Sequence, residues 1–517
     1  MEKKMFLALA LSMGVLIAWP FMFGTNNKKT NSDQTAIQQS TQQTADVAEQ
    51  KKDATGQVAT KPNYLDGGQT YFIENNLLKV GVNSKGAVLN QVIFKDYRDD
   101  KKDFIKLFGK DVEKSGAFHV NNFENKTFKP KTSDDQSAIT LLDGKGNEVS
   151  YSLDKSTYTL RTSIKRVSDK EPISFKIYSK ITESKDANYG LSSDPDTRKK
   201  NIILYSSIDD KANRTDMAKI REKGIVYFSN SYKWVALSDR YFMMSLVDKK
   251  DSISDVSTKC TQDGYCSTDF VIKGAGLDFN TALYIGPKDV THMRVLDQSL
   301  TEAIDYGWLS FMSVPMLELM KFFYSAIPNY GVAILILTLL VRLIMFPLQH
   351  KAMKSMKKMQ DLQPHLKSIQ AKYKDDKEQL NRETLQFMKT HKMNPMSGCL
   401  PMLIQLPVFI ALYKVLANSV ELYRSPFIFW ITDLSVKDHF YIMPLLMGVM
   451  MFFQQKMTPN PTMDQTQAKM MLYMMPIIFT VMMLSLPSGL TLYIMFSTLL
   501  GIVQQMATNR ILVAKKQ

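Results

Sequence analysis

The feature that most constrains this chain is the uneven placing of its long apolar runs, one at the extreme N-terminus and several more beyond residue 307. About 20 apolar residues are needed to cross a hydrocarbon layer of roughly 30 Å as a helix. Runs of this kind demand a bilayer, although the overall hydrophobic content of 45% would, if evenly spread, suit a soluble protein. A net charge of +15 points to an anionic partner or membrane surface without naming a function.

The first run, MEKKMFLALALSMGVLIAWPFMFG, begins like a signal sequence. Its apolar character continues through Trp19, Phe21, Met22 and Phe23 with no convincing small-x-small cleavage site, which favours an uncleaved anchor (1–24). Residues 25–62 are rich in Gln, Thr, Asn, Lys and Ala and nearly free of aromatics, the composition of a disordered tether.

From 63 to 305 the pattern changes to short alternating runs separated by turn residues. In Ile173-Ser-Phe-Lys-Ile-Tyr-Ser-Lys-Ile181 the residues Ile173, Phe175, Ile177 and Ile181 share one face, and Ser174, Lys176 and Lys180 the other. Weaker alternation at Leu78 to Val82 and Tyr158 to Ile164, with turn signals such as Asp143-Gly-Lys-Gly146, predicts one large antiparallel sandwich. Its histidines, His119 and His292, carry no metal-binding spacing, and no nucleophile elbow or phosphate loop is present. No metal site, cofactor or enzymatic activity is expected. Cys260 and Cys266 either pair, if this part is exported, or remain free thiols.

Residues 306–328 are apolar but carry Glu318 and Lys321, as in an amphipathic helix lying in the outer interface. Five further spans follow within a core of 329–512, at about 331 to 348, 398 to 418, 441 to 456, 470 to 485 and 489 to 506. With the anchor this makes a polytopic α-helical membrane protein of six spans, several of them short, which implies misplaced ends or a locally thin bilayer. Lys351, Lys354, Lys357 and Lys358 crowd the end of the second span, and Arg510, Lys515 and Lys516 follow the last. The positive-inside rule therefore puts both termini, the segment 349–397 and the tail (513–517) in the cytoplasm, and the sandwich on the other side.

Segment 349–397 carries eleven Lys/Arg against five Asp/Glu, and Met353, Met356, Met359, Leu362, Leu366 and Ile369 recur with helical spacing. Interrupted at Lys372 to Lys377, it reads as a basic helical hairpin. Its charge either enforces topology or docks RNA or anionic headgroups.

Arg342 lies inside the second span, where an arginine costs about 2.5 to 3.5 kcal/mol on insertion scales. Six residues, about 9 Å of helix, separate it from the end of the span, so snorkelling is strained. The alternative is a wet pocket inside the bundle, with polar neighbours in Thr338, Gln405, Asn418, Ser497, Gln504 and Gln505 and no acidic partner, suited to an anionic visitor. Lys414, nearer the outer end of its span, reads as a snorkeller.

The runs SGCLPMLIQLPVFIALY (397–413), PFIFWITDLSVKD (426–438), MGVMMFFQQKMTP (447–459) and LPSGLTLYIMFSTLLGIVQQ (486–505), with TLLVRLIMFPL and the hairpin, resemble the YidC/Oxa/Alb membrane-protein insertases over about 308–512. The anchor, tether and large β domain resemble the family's Gram-negative type. This resemblance implies a five-helix insertase core with a large periplasmic β-supersandwich in a bacterial inner membrane. It places Arg342 and Thr338 in a hydrophilic groove open to cytoplasm and lipid, with Tyr493 in the last-span motif and Ile494 where some members have an aromatic. Gln405, Ser497 and Gln504 are the further groove residues expected, and Lys351, Lys354, Lys357 and Lys358 would recruit clients. The implied partners are nascent membrane proteins, the ribosome, the Sec translocon and membrane lipids, with no nucleotide.

Two other classes remain open on the residues alone. A small-anion channel or transporter would also use an intramembrane arginine, but no inverted repeat is visible. A membrane-anchored carbohydrate enzyme would place its function in the sandwich.

Overall fold

The computed structural model of the chain describes residues 65, 68–99, 102–131, 135–168, 171–181, 199–373, 376–391, 400–457 and 465–514. The expected anchor (1–24), the tether (25–62), the end of the hairpin (392–397) and most of the tail (513–517) lie outside them.

Strands between Thr70 and Pro287 build two nine-stranded antiparallel sheets. In the first, Ile173–Lys180 lies between Phe118–Val120 and Tyr265–Ile272, paired in register from Ile173 opposite Ile272 to Lys180 opposite Tyr265. Its residues alternate between buried and half-buried, as the period of two in its sequence requires. In the second, Thr159–Lys165 runs between Glu148–Leu153 and Asp278–Pro287. Rings from the two sheets meet in the core: Phe94 stacks on Phe242 at 4.4 Å and Phe175 tilts against Phe279 at 5.9 Å. Tyr151, buried between the sheets, satisfies its hydroxyl by donating to Ala87 O at 2.8 Å. The Asp143 to Gly146 turn forms as expected. Asp143 Oδ1 accepts from the amides of Lys145 and Asn147, and Gly146 has a φ of 89°, open to glycine without a Cβ penalty.

Ile253–Cys260 and Tyr265–Ile272 form a hairpin in which Cys260 and Cys266 stand opposite each other and are joined by a disulfide. This settles the two alternatives for these thiols. Of two short helices, α1 (Lys110–Ser115) packs against interior strands of the first sheet and α2 (Met217–Lys223) lies against edge strands of both sheets, and α3 (Val290–Leu296) follows the last strand. Asp289 caps α3, its Oδ1 accepting from His292 N at 3.0 Å.

Helix α4 (Ser310–Ala326) buries Ser313, Met316, Leu317 and Met320 and exposes Phe311 and Phe322, with Trp308 exposed just before it. The remaining long helices are α5 (Tyr330–Asp361), α6 (Gln363–Lys372), α7 (Lys377–Thr390), α8 (Leu400–Asn418), α9 (Ile442–Met457), α10 (Gln465–Met483) and α11 (Ser488–Ala514). They lie where five spans and a hairpin were expected. Among the described residues two stretches, Tyr330–Ser355 and Ser488–Thr508, are long and apolar enough to cross a bilayer, while Gln405–Asn418 and Lys469–Met483 are shorter apolar helices. Helix α5 does not stop at 348 but runs on through the lysines to Asp361, since nothing in 349–361 breaks a helix.

Residues 361–373 and 376–391 belong to a different compact unit from the sandwich and the other helices. There α6 stops at Lys372 and α7 starts at Lys377, where Asp376 caps it by accepting from the amides of Glu378 and Gln379.

The other unit holds both the sandwich and the remaining helices, and polar bonds join them. Arg240 Nε donates to Ala417 O at the end of α8 (2.7 Å), Asn418 Nδ2 donates to Asp305 O (2.7 Å), and Tyr423 OH donates to Arg98 O (2.7 Å). Within the bundle Ser313 Oγ ties α4 to α8 by donating to Ala411 O at 3.1 Å. Gly448 lets α9 and α10 approach so closely that a Cβ there would stand 2.1 Å from Thr480 Oγ1.

Candidate functional site

Arg342 projects from α5 onto α11. Its Nε donates to Ser497 Oγ at 3.0 Å, its Nη2 donates to the same hydroxyl at 2.8 Å and to the Ser497 carbonyl oxygen, and its Nη1 donates to Gln349 Oε1 at 3.0 Å. The guanidinium is half-buried, and among the described residues no carboxylate pairs with it. Every acceptor it meets is neutral, so its charge stays uncompensated while its plane is held. Gly501, one turn beyond Ser497, makes room: a Cβ there would stand 3.3 Å from Nη2 and 2.7 Å from Gln454 Nε2.

Next to this cluster Gln405 Nε2 of α8 donates to the hydroxyl of the buried Tyr493 on α11. Three helices thus contribute polar side chains to one region of an otherwise apolar bundle. The acceptors satisfy donors that would be costly to bury alone.

Two family models match the chain: "60Kd inner membrane protein" over residues 322–516 and "YidC periplasmic domain" over residues 70–319. A membrane protein insertase YidC of Geotalea daltonii is 35% identical over 99% of this chain and 100% of its own length. The chain belongs to the YidC membrane protein insertase family. A second YidC insertase, from Pelobacter propionicus, is 31% identical over 99% of both chains, and one from Citrifermentans bemidjiense is 45% identical over 56% of this chain and 54% of its own. A crystal structure of an active YidC insertase with its first transmembrane domain resolved covers 86% of this chain and 94% of its own, at 17% identity and a TM-score of 0.41.

Membership of the YidC family places the chain in the inner membrane with the sandwich in the periplasm. It also agrees with the expectation, drawn from the residues, that the chain is not an enzyme. Of the residues singled out in the sequence, Arg342, Ser497, Tyr493 and Gln405 come together. Thr338 does not join them through its hydroxyl, which donates back to Ile334 O at 2.6 Å, the usual retreat of a buried threonine in a helix. Gln504 is buried on α11 with Nε2 unpartnered among the described residues, and Gln505 Nε2 donates to Met457 O at 2.7 Å. Asn418 is spent on the sandwich, and Lys414 pairs with Asp305 at 3.4 Å instead of snorkelling freely. Lys351, Lys354 and Lys358 are exposed on the extension of α5, with Lys357 half-buried.

Sequence reasoning missed Gln349 and Gly501. The signal for Gln349 was its spacing, seven residues or two turns after Arg342 on the same helix face. For Gly501 it was a glycine four residues after Ser497, in a helix where glycine is otherwise a cost.

A second polar cluster sits where the sandwich, α4 and the loop after α8 meet. Lys321 Nζ lies 3.0 Å from Asp289 Oδ2 and 2.7 Å from Glu421 Oε1. Burial pushes the Glu421 carboxyl up to about 7; Lys321 opposes this and Asp289 adds to it. Burial also works to raise Asp289, but Lys321, the Glu421 carboxyl and the His292 amide outweigh it and hold that group down to about 2. For Lys321 burial is outweighed by the two carboxylates, and the ammonium is held above its ordinary value.

Proposed function

We propose that the chain moves client transmembrane segments from the cytoplasm into the inner membrane through a hydrophilic groove containing Arg342, alone or together with the Sec translocon. The observation that carries this reading is a half-buried guanidinium held entirely by neutral acceptors among the described residues. A cation left uncompensated in an apolar bundle is costly, and it favours polar or acidic segments on their way across. Tyr493, Gln405, Ser497, Gln504 and Thr338 are assigned to the same groove. Release into lipid is driven by apolar transfer at about 25 cal/mol per Å², so no nucleotide enters.

The organisation that goes with this function keeps the boundaries read from the sequence: anchor 1–24, tether 25–62, periplasmic sandwich 63–305, interfacial helix 306–328, insertase core 329–512 with the hairpin at 349–397, and tail 513–517. Both termini are assigned to the cytoplasm. Lys351, Lys354, Lys357 and Lys358 recruit clients, and the ribosome and membrane lipids are the further partners. The exposed Trp308, Phe311 and Phe322 suit α4 to an interfacial position.

The test is insertion of a ribosome-synthesised single-span client into liposomes containing the purified protein, scored by protease protection, for wild type and Arg342→Ala. Insertion by the wild type that is sharply weakened by the substitution, with folding intact, is expected. Equal insertion by both would remove Arg342 from the mechanism, and none above empty liposomes would sink the insertase reading.

A further inference from the structure

We propose that Gln349 is a positioning residue for Arg342, and that its amide oxygen occupies the place on Nη1 that an acidic client group takes during insertion. The inference rests on the reading of Arg342 as a client-contacting group and adds a residue and an order of events to it.

A guanidinium offers five N–H donors on three nitrogens. A carboxylate is recognised best by two parallel N–H groups along one edge. The edge formed by Nε and Nη2 is committed to Ser497, whose hydroxyl accepts from both nitrogens and whose carbonyl accepts from Nη2. That leaves Nη1, which carries a second N–H besides the one donated to Gln349 at 3.0 Å. Nη1 is therefore the nitrogen with an N–H left for a further acceptor, and Gln349 already holds its other one.

Gln349 is suited to this place on three counts. It is only 4% exposed, so its carbonyl needs a partner inside the protein. It lies two turns along α5 from Arg342, on the same face, so one helix fixes both ends of the bond. Its acceptor is neutral. It orients the cation without cancelling it and yields to a carboxylate, which makes the stronger charge-assisted bond. A glutamate at the same position would close the site with a permanent ion pair.

The experiment uses the full-length protein in liposomes and two single-span clients that differ only in the translocated tail, one with acidic residues and one with their amides. Wild type, Arg342→Ala, Gln349→Glu and Gln349→Met are compared, with thermal unfolding as the folding control. Gln349→Glu is expected to lower insertion of the acidic client as far as Arg342→Ala does and to leave the amide client unchanged. Gln349→Met, which keeps the bulk and removes the acceptor, should shift the acidic-to-amide insertion ratio, a readout that a general loss of stability, acting on both clients alike, does not move. A wild-type ratio in either Gln349 variant while Arg342→Ala still impairs the acidic client overturns the role of Gln349 alone. If Arg342→Ala impairs neither client, the groove reading beneath it falls as well.

Discussion

Lys321 of α4 sits between Asp289 of the sandwich and Glu421 of the loop after α8, 3.0 Å from the first and 2.7 Å from the second. One ammonium therefore serves two carboxylates from two parts of the protein, and the Glu421 carboxyl, pushed up to about 7, is the member that gives way.

The sign of the resulting pH dependence follows from proton counts. Between the ordinary glutamate value of 4.5 and about 7, the folded protein holds a proton on Glu421 that the unfolded chain has released. Stability from this group is full below that interval and falls as pH rises through it, whereas Asp289, held down to about 2, loses its contribution only in stronger acid. The unfolding midpoint of the purified protein should drop between pH 5 and pH 7, and Glu421→Gln should flatten that drop, as a thermal scan across the range would record.

Removing the shared cation is a harsher change. Lys321→Met leaves the Asp289 carboxylate facing the Glu421 carboxyl with no counter-charge, a loss of about 3 kcal/mol for a broken, largely buried pair. Combining it with Glu421→Gln should restore part of the loss, so that the double variant unfolds at a higher temperature than Lys321→Met alone. Additive losses would refute the coupling.

Gly501 offers a steric test of the arginine site. Gly501→Val puts branched bulk where a Cβ already lies 3.3 Å from Arg342 Nη2 and 2.7 Å from Gln454 Nε2. It should impair insertion of Arg342-dependent clients, and because valine has a better helix propensity than glycine, any fall in unfolding temperature reports the crowding itself. Protease-protection assays on the reconstituted variant measure this directly.

The Cys260–Cys266 disulfide closes a small loop within one hairpin. The chain-entropy relation gives about 2 kcal/mol for a loop of this size. A double alanine variant should lose about that much stability and keep full insertion, since the bond belongs to the sandwich and not to the polar cluster of the bundle.

The sheets were legible where one strand face is wet. Ile173–Lys180 alternates between buried and half-buried residues, and its period of two is plain in the sequence. Trp234–Ser238 and Phe242–Val247 are buried along their whole length, so nothing in their composition separates them from an apolar helix segment. Arg342 was conspicuous because a charge in an apolar run has few explanations. Its partners were harder to read, because Ser497 and Gln349 are ordinary residues until the crossing of α5 and α11 brings the first within reach and the turn spacing brings the second. Lys321 seemed to be one of two charges on an interfacial helix, and only the packing of three distant segments gives it Asp289 and Glu421 as company.

The bond from Arg240 to the last turn of α8 carries a mechanical meaning. Ala417 O lies among the carbonyls that a helix end leaves unpaired, and a guanidinium from the sandwich supplies its donor. Tilting or sinking α8 in the bilayer means giving up that bond together with those of Asn418 and Tyr423. The sandwich thus acts on the bundle as a fixed bracket, clamping the outer end of one helix.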